Sequence, residues 1–312
     1  MQIIFASLIM ETFYTVLIIL LFVLAIADLI VGVSNDAVNF LNSAIGSKAI
    51  PMRTILAVAG VGVLVGAIFS SGLMEVARKG IFMPELFFFD EIIIIFLAVL
   101  ITDILLLDMF NSFGIPISTT VSVVFELLGA SVCIAALKIY YDPASEIALS
   151  EYINVDKASD ISIGILMSVL IAFVVGAIIQ YISRLIFSFE YYKQPIWLKA
   201  LFGGISLSAI TYFILIKGIN SIQFIDDNFI TLVKSNTLLI IVFSLLTWTV
   251  VSWLVQALKF NLFKFIIVLG TFALALAFAG NDLVNFIGVS IAAWQSFELW
   301  LVAFQTQGVL PS

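Results

Sequence analysis

Two short segments far apart in the chain carry one polar pattern: Ser34-Asn35-Asp36-Ala37-Val38-Asn39-Phe40 and Gly280-Asn281-Asp282-Leu283-Val284-Asn285-Phe286. Both interrupt long apolar runs. A carboxylate in hydrocarbon opposes insertion by roughly 2.5–3.5 kcal/mol, so an aspartate there calls for a ligand or a partner. Each copy offers one carboxylate and two amides, a set of oxygen donors suited to a hard monovalent cation such as sodium. On a helix from Asp36 onward, Asn39 would share the aspartate's face, three residues on. Ser34 and Gly280 precede the copies at points where a helix could break and expose carbonyls and N–H groups. Alone, Asp36 could equally be an N-cap after a complete span; the second copy in the same context argues against that reading.

A second constellation is Asn111-Ser112-Phe113-Gly114-Ile115-Pro116-Ile117-Ser118-Thr119-Thr120. Gly114 and Pro116 stop one helix, and three hydroxyl residues open the next. Free N–H groups at a helix start, joined by the hydroxyls of Ser118, Thr119 and Thr120, form an oxyanion cradle without fixed positive charge, suited to phosphate or sulfate. The plain alternative is an interhelical turn with Ser118 or Thr119 as N-cap. Irregular backbone at membrane depth is tolerated where it is buried or lines a cavity, so a re-entrant hairpin over about 92–140 with its tip at 111–120 is expected. Asp28, Asp103, Asp108 and Glu126 also fall in apolar runs. Asp28 and Glu126 are secondary candidates for a cation or proton, or for pairing with a buried polar group.

The elements that must position these residues are membrane helices. Of 312 residues, 63% are hydrophobic and 11% charged, against about 45–50% and about 25% in soluble domains. Apolar stretches near 12–33, 54–72, 92–110, 117–140, 161–183, 198–217, 236–258, 265–280 and 283–304 are mostly long enough to span a bilayer. The expected class is an all-α polytopic membrane protein, and the N-terminal stretch is too long for a signal peptide. Two acidic loops, 73–91 and 141–160, read as a solvated outer face. Lys48, Arg53, Arg184, Lys193, Lys199, Lys259 and Lys264 fall in the opposite loops with Glu190. The other side holds Arg78, Lys79, Lys138, Lys157, Lys217 and Lys234. Because the first set sits in short loops tight against helix ends, that side is expected in the cytoplasm and the N-terminus outside.

Thirteen basic residues against twenty acidic, net −7, exclude nucleic acid as the main partner. The absence of histidine excludes His-based zinc hydrolases, Ser-His-Asp triads and histidine proton relays. An intramembrane aspartyl protease is disfavoured, since the expected Gly-x-Gly-Asp is missing and asparagine precedes each aspartate. No enzyme activity and no cofactor are expected. The one cysteine, Cys133, is read as a small core residue.

The duplicated Asn-Asp motif and the Pro116-Ile117-Ser118-Thr119-Thr120 turn together resemble the inorganic phosphate transporter (PiT) family, whose repeats each carry Gly-Ala-Asn-Asp-x-Ala-Asn and Pro-x-Ser-Thr-Thr-His. The match runs through Asn35, Asp36, Asn39, Ala44, Gly46, Ser47 and Lys48, then Pro116 and Ser118 to Thr120, then Asn281, Asp282 and Asn285. The resemblance implies an inverted-repeat secondary transporter with broken helices and a re-entrant hairpin, moving phosphate with sodium or protons. It assigns phosphate to Ser118, Thr119, Thr120, Asn39 and Asn285. Sodium, the one metal implied, goes to Asn35, Asp36, Asn39, Asn281, Asp282 and Asn285. It further implies the lipid bilayer of a cell membrane, a bacterial inner membrane, as the setting, with a homodimer left open. Val121 stands where the family has histidine, Val38 and Val284 replace an alanine, and Val33-Ser34 and Ala279-Gly280 replace Gly-Ala. The hydroxyl hairpin matching the second Asn-Asp copy would fall beyond Ser312. The expected division is therefore a first repeat over 1–160, then linking helices and the start of a second over 161–312. Transport of another oxyanion such as sulfate, or an inactive truncated membrane subunit, is the alternative.

Overall fold

The computed structural model describes residues 2–69, 80–142, 147–187, 191–215 and 227–307. Arg78, Lys79, Glu190 and Lys217, counted above among the loop charges, and Glu146 of the acidic 141–160 loop lie outside the described residues. The described chain is helical: α1 (Gln2–Ser47), α2 (Met52–Phe69), α3 (Phe89–Phe113), α4 (Thr119–Tyr141), the short α5 (Leu149–Tyr152), α6 (Val155–Ile186), α7 (Ile196–Phe213), α8 (Asp227–Ser235), α9 (Thr237–Ala257), α10 (Leu262–Asn281) and α11 (Leu283–Gln307). Among the described residues the one β contact is a bridge between Phe82 and Ile153. Among the described residues, seven helical segments are long and apolar enough to cross a membrane, and the protein is a multi-pass membrane protein. None of α6's residues is buried, and Leu166, Phe173 and Tyr181 are at least 66% exposed. Such an outward apolar surface has lipid, not water, as its natural solvent.

The chain forms two compact units. The first takes Met1–Asp36, Leu73–Ile165 and Asp282–Ser312; the second takes Ala37–Gly72 and Leu166–Asn281. Both units are assembled from separated pieces of sequence.

In the first unit, α3 and α4 form a hairpin against which α11 packs. Leu21 of α1, Ile95 and Leu100 of α3, Val123 and Leu127 of α4 and Ala293 of α11 lie at its centre, each at most 1% exposed. An aromatic stack of Tyr14, Phe89, Phe297 and Trp300 closes one end, with neighbouring ring centroids 4.9–6.0 Å apart. The open ends of the hairpin are tied by Lys138, which donates to Glu91 Oε2 at 2.7 Å and to Leu86 O at 3.0 Å.

The second unit pairs α2 with α10 and α7 with α9. Gly62 and Gly66 set the first pair: a Cβ on Gly66 would stand 2.5 Å from the Leu276 carbonyl oxygen. Small residues four apart bring backbones this close where lipid provides no hydrophobic drive. Ser208 and Ser244 hydroxyls, 2.5 Å apart, link α7 to α9.

Two expectations need correction. The first Asn-Asp copy does not break its helix, because α1 runs uninterrupted through Ser34, Asn35 and Asp36. Asn35 would loosen a helix by bonding its own backbone, but its side chain is engaged elsewhere, as described below. The second copy is interrupted as expected: α10 ends at Asn281, α11 begins at Leu283, and Asp282 O accepts the Asn285 N–H at 3.0 Å. Cys133 is exposed rather than a core residue. Buried Ser131 and Ala135 are four apart on one face of α4, and the position midway between them faces outward.

Candidate functional site

The turn between α3 and α4 is fixed from three directions. Gly114 caps α3 with φ 67°, ψ 29°, a left-handed conformation costly to a residue with a Cβ. Its N–H donates to Asn111 O at 3.0 Å, and the Ile115 N–H donates to Phe110 O at 3.0 Å. Asn35 on α1 then clamps the turn. Its Nδ2 donates to Asn111 Oδ1 at 2.8 Å and to Ile115 O at 3.3 Å, while its Oδ1 accepts the Ile117 N–H at 2.8 Å. Asn111 Nδ2 returns a bond to Val31 O at 3.0 Å. Both amides are thereby used to hold the turn against α1 in a fixed register, a role for Asn111 that sequence reasoning missed. The available signal was an amide inside an apolar run, next to a helix stop.

The clamp places the start of α4 against both Asn-Asp copies. Ser118 is the N-cap, with extended backbone (φ −85°, ψ 110°) and no hydrogen bond from its side chain to the cap. It is exposed, Thr119 is buried and Thr120 half-buried. Thr119 Oγ1 donates to Asp36 Oδ2 at 3.1 Å. Thr120 Oγ1 donates to Asp282 Oδ1 at 2.9 Å and accepts from Asn285 Nδ2 at 2.8 Å. Successive threonines thus each bind the aspartate of a different copy. Asp36 is 3% exposed and Asn285 4%. The structure brings together Asn35, Asp36, Ser118, Thr119, Thr120, Asp282 and Asn285. It does not bury Asn39, which is exposed on α1 although three residues from buried Asp36. The side chain of Asn281 lies outside the described residues.

One step deeper in the same unit lie the secondary candidates. Asp28 and Asp103 are 0% exposed, and Glu126 is half-buried. Ser122, which sequence reasoning passed over, joins the latter two: its Oγ is 2.7 Å from Asp103 Oδ1 and 2.8 Å from Glu126 Oε1. Asp108 stands apart, exposed on α3, because five residues from Asp103 turn it to the far side of the helix.

A multi-pass helical protein with two repeated polar motifs meeting at a buried helix start has the make-up of a membrane transporter. The sequence profile of the phosphate transporter family matches residues 32–309, and the chain belongs to that family. It is 33% identical over 109 residues to a Thermococcus kodakarensis protein named "Putative phosphate permease TK2061", covering 34% of this chain and 27% of the relative. It is 30% identical over 152 residues to a Pyrococcus furiosus protein named "Putative phosphate permease PF1020", covering 48% and 32%. A Helicobacter pylori protein named "Putative phosphate permease" is 34% identical over 106 residues, covering 33% and 20%. These alignments span less than a third of each relative's length. A solved structure described as the sodium-dependent phosphate transporter aligns over 95% of this chain and 70% of its own, with TM-score 0.66 and 20% identity. At that identity the likeness speaks for the fold.

Proposed function

We infer that the chain carries inorganic phosphate across a membrane, coupled to a cation, sodium or proton. Membership in the phosphate transporter family supports the substrate class. One observation carries the mechanism: the Thr119 and Thr120 hydroxyls each spend their single hydrogen on an aspartate of a different Asn-Asp copy.

A threonine hydroxyl has one hydrogen and two lone pairs. While that hydrogen points at a carboxylate, it cannot serve an anion. A cation on Asp36 or Asp282 weakens the carboxylate as an acceptor, frees the hydroxyl to turn toward a phosphate oxygen, and offsets the incoming negative charge. In a low dielectric both effects favour binding the two ions together, which is a reciprocal coupling free energy. Ser118 and the free N–H groups at the start of α4 complete the anion side. Asn285, donating to Thr120, holds that hydroxyl in place. Sulfate, with the same tetrahedral oxygens, is the second substrate to be tested.

The side carrying Lys48, Arg53, Arg184, Lys193, Lys199, Lys259 and Lys264 is assigned to the cytoplasm, placing the N-terminus outside a cell membrane. The deciding experiment is radiolabelled phosphate uptake into proteoliposomes of the whole chain under an imposed sodium or proton gradient, with sulfate as competitor. Gradient-driven uptake that collapses in Asp36→Asn and resists excess sulfate supports the reading. Uptake indifferent to both gradients and to Asp36→Asn overturns it.

A further inference from the structure

We propose that Asp28, Asp103 and Glu126, bridged by Ser122, form a proton-binding site separate from the Asn-Asp residues. Three helices each supply one carboxyl group: Asp28 from α1, Asp103 from α3 and Glu126 from α4. Asp28 faces both of the others electrostatically. Its two oxygens, Asp103 Oδ2 and Glu126 Oε2 are buried and receive no hydroxyl, amide or backbone N–H donor, and the Asp28 and Asp103 carboxyls are placed to share a hydrogen bond with each other.

The hydrogen count at Ser122 favours a bound proton. Its Oγ lies at bonding distance from Asp103 Oδ1 and from Glu126 Oε1, yet a hydroxyl carries one hydrogen. When Ser122 donates to one carboxylate, the other contact is a full hydrogen bond only if that carboxyl brings its own hydrogen and donates to Oγ. Three negative charges in one apolar core would also be prohibitively costly without neutralisation.

No basic side chain among the described residues of this unit is placed to neutralise them. Lys138 is paired with Glu91 at the far end of the hairpin, and Lys157 is exposed. The other acids near the group add negative charge: Asp103 and Asp282 both act on Asp36. Glu298, on α11, is exposed. The ligand that this hydrogen count calls for is the proton, taken from and returned to water, with no other bond made or broken. Resting on the transport reading, the site makes uptake depend on pH through groups that touch neither phosphate nor the Asn-Asp carboxylates.

The test is infrared difference spectroscopy of the whole chain in lipid nanodiscs, in sodium-free buffer near neutral pH, with no phosphate present. The expected result is a protonated carboxyl C=O band that shifts in D2O, loses intensity in Asp28→Asn and in Glu126→Gln, and persists in Asp36→Asn. Ser122→Ala moves the pH at which the band titrates. Gel filtration and thermal unfolding establish that each variant is folded, and half-buried Glu126 is the milder replacement should Asp28→Asn fail. Absence of the band in folded protein, or its loss on adding sodium at fixed pH, overturns the proposal. Because the readout needs no transport, a band without uptake contradicts the transport reading alone.

Discussion

At the scale of single residues, the division of labour among neighbouring polar groups is sharper than their similarity suggests. Asn35 and Asp36 are adjacent, yet one amide holds a turn while one carboxylate receives a threonine. Asn35→Ala would leave the Ile117 N–H and Asn111 Oδ1 without partners. We expect a loss of about 1–3 kcal/mol, read as a lower unfolding temperature, together with weaker phosphate uptake. Thr120→Val removes the donor to Asp282 and the acceptor for Asn285. It is expected to lower uptake about tenfold or more with little change in melting temperature, since the half-buried group contributes little packing; proteoliposome uptake with a melting curve separates the two effects. The aspartates and threonines were legible in the sequence because polar residues are expensive in an apolar run. The roles of Asn111 and Ser122 were less so: the amide beside a helix stop and the serine four residues before Glu126 were local signs, but their other partners lie 76 and 19 residues upstream.

At the scale of helices and turns, periodicity located the spans but misjudged one break. Ser34 and Asn35 are poor residues for a helix interior when judged locally, which made an interruption a reasonable expectation. Tertiary bonding overrode that preference, as it commonly does when the competing side chain is occupied elsewhere. At the second copy the chain does interrupt, at Asp282. The α3–α4 turn was readable from Gly114 and Pro116 because both act through backbone geometry. Replacing Gly114 with alanine should cost roughly 1–2 kcal/mol for the left-handed conformation, measurable as reduced thermal stability in detergent. Gly66→Leu should be more damaging, because the Leu276 carbonyl is backbone and cannot move aside. The expected outcome is a large fall in the yield of monodisperse protein, followed by gel filtration.

For the whole molecule, composition alone established membrane residence, since 63% hydrophobic residues cannot be hidden from water in a chain of this size. The outward apolar face of α6 is the structural counterpart. Composition could not reveal that the first unit is drawn from three separated stretches, because a hydropathy profile is blind to which helix meets which. Topology is checked with Lys193→Cys in a Cys133→Ser background: a membrane-impermeant maleimide should label it in inside-out vesicles and not in right-side-out ones.

The interleaving of the two units also bears on synthesis. Ser290 bonds to Leu21 across 269 residues of chain, and Asn285 reaches Thr120 across 165. As the chain enters the bilayer, Thr120 and the carboxylates of the first unit wait through more than a hundred residues of later helices before α11 arrives. Throughout that interval the nascent protein has an exposed polar seam in lipid, the kind of feature that insertion machinery and quality-control proteases can read. Substitutions along α11 that slow its docking, such as a bulky side chain at buried Ala293, should therefore shorten the lifetime of newly made chains in a pulse-chase measurement before they change the rate of any mature molecule.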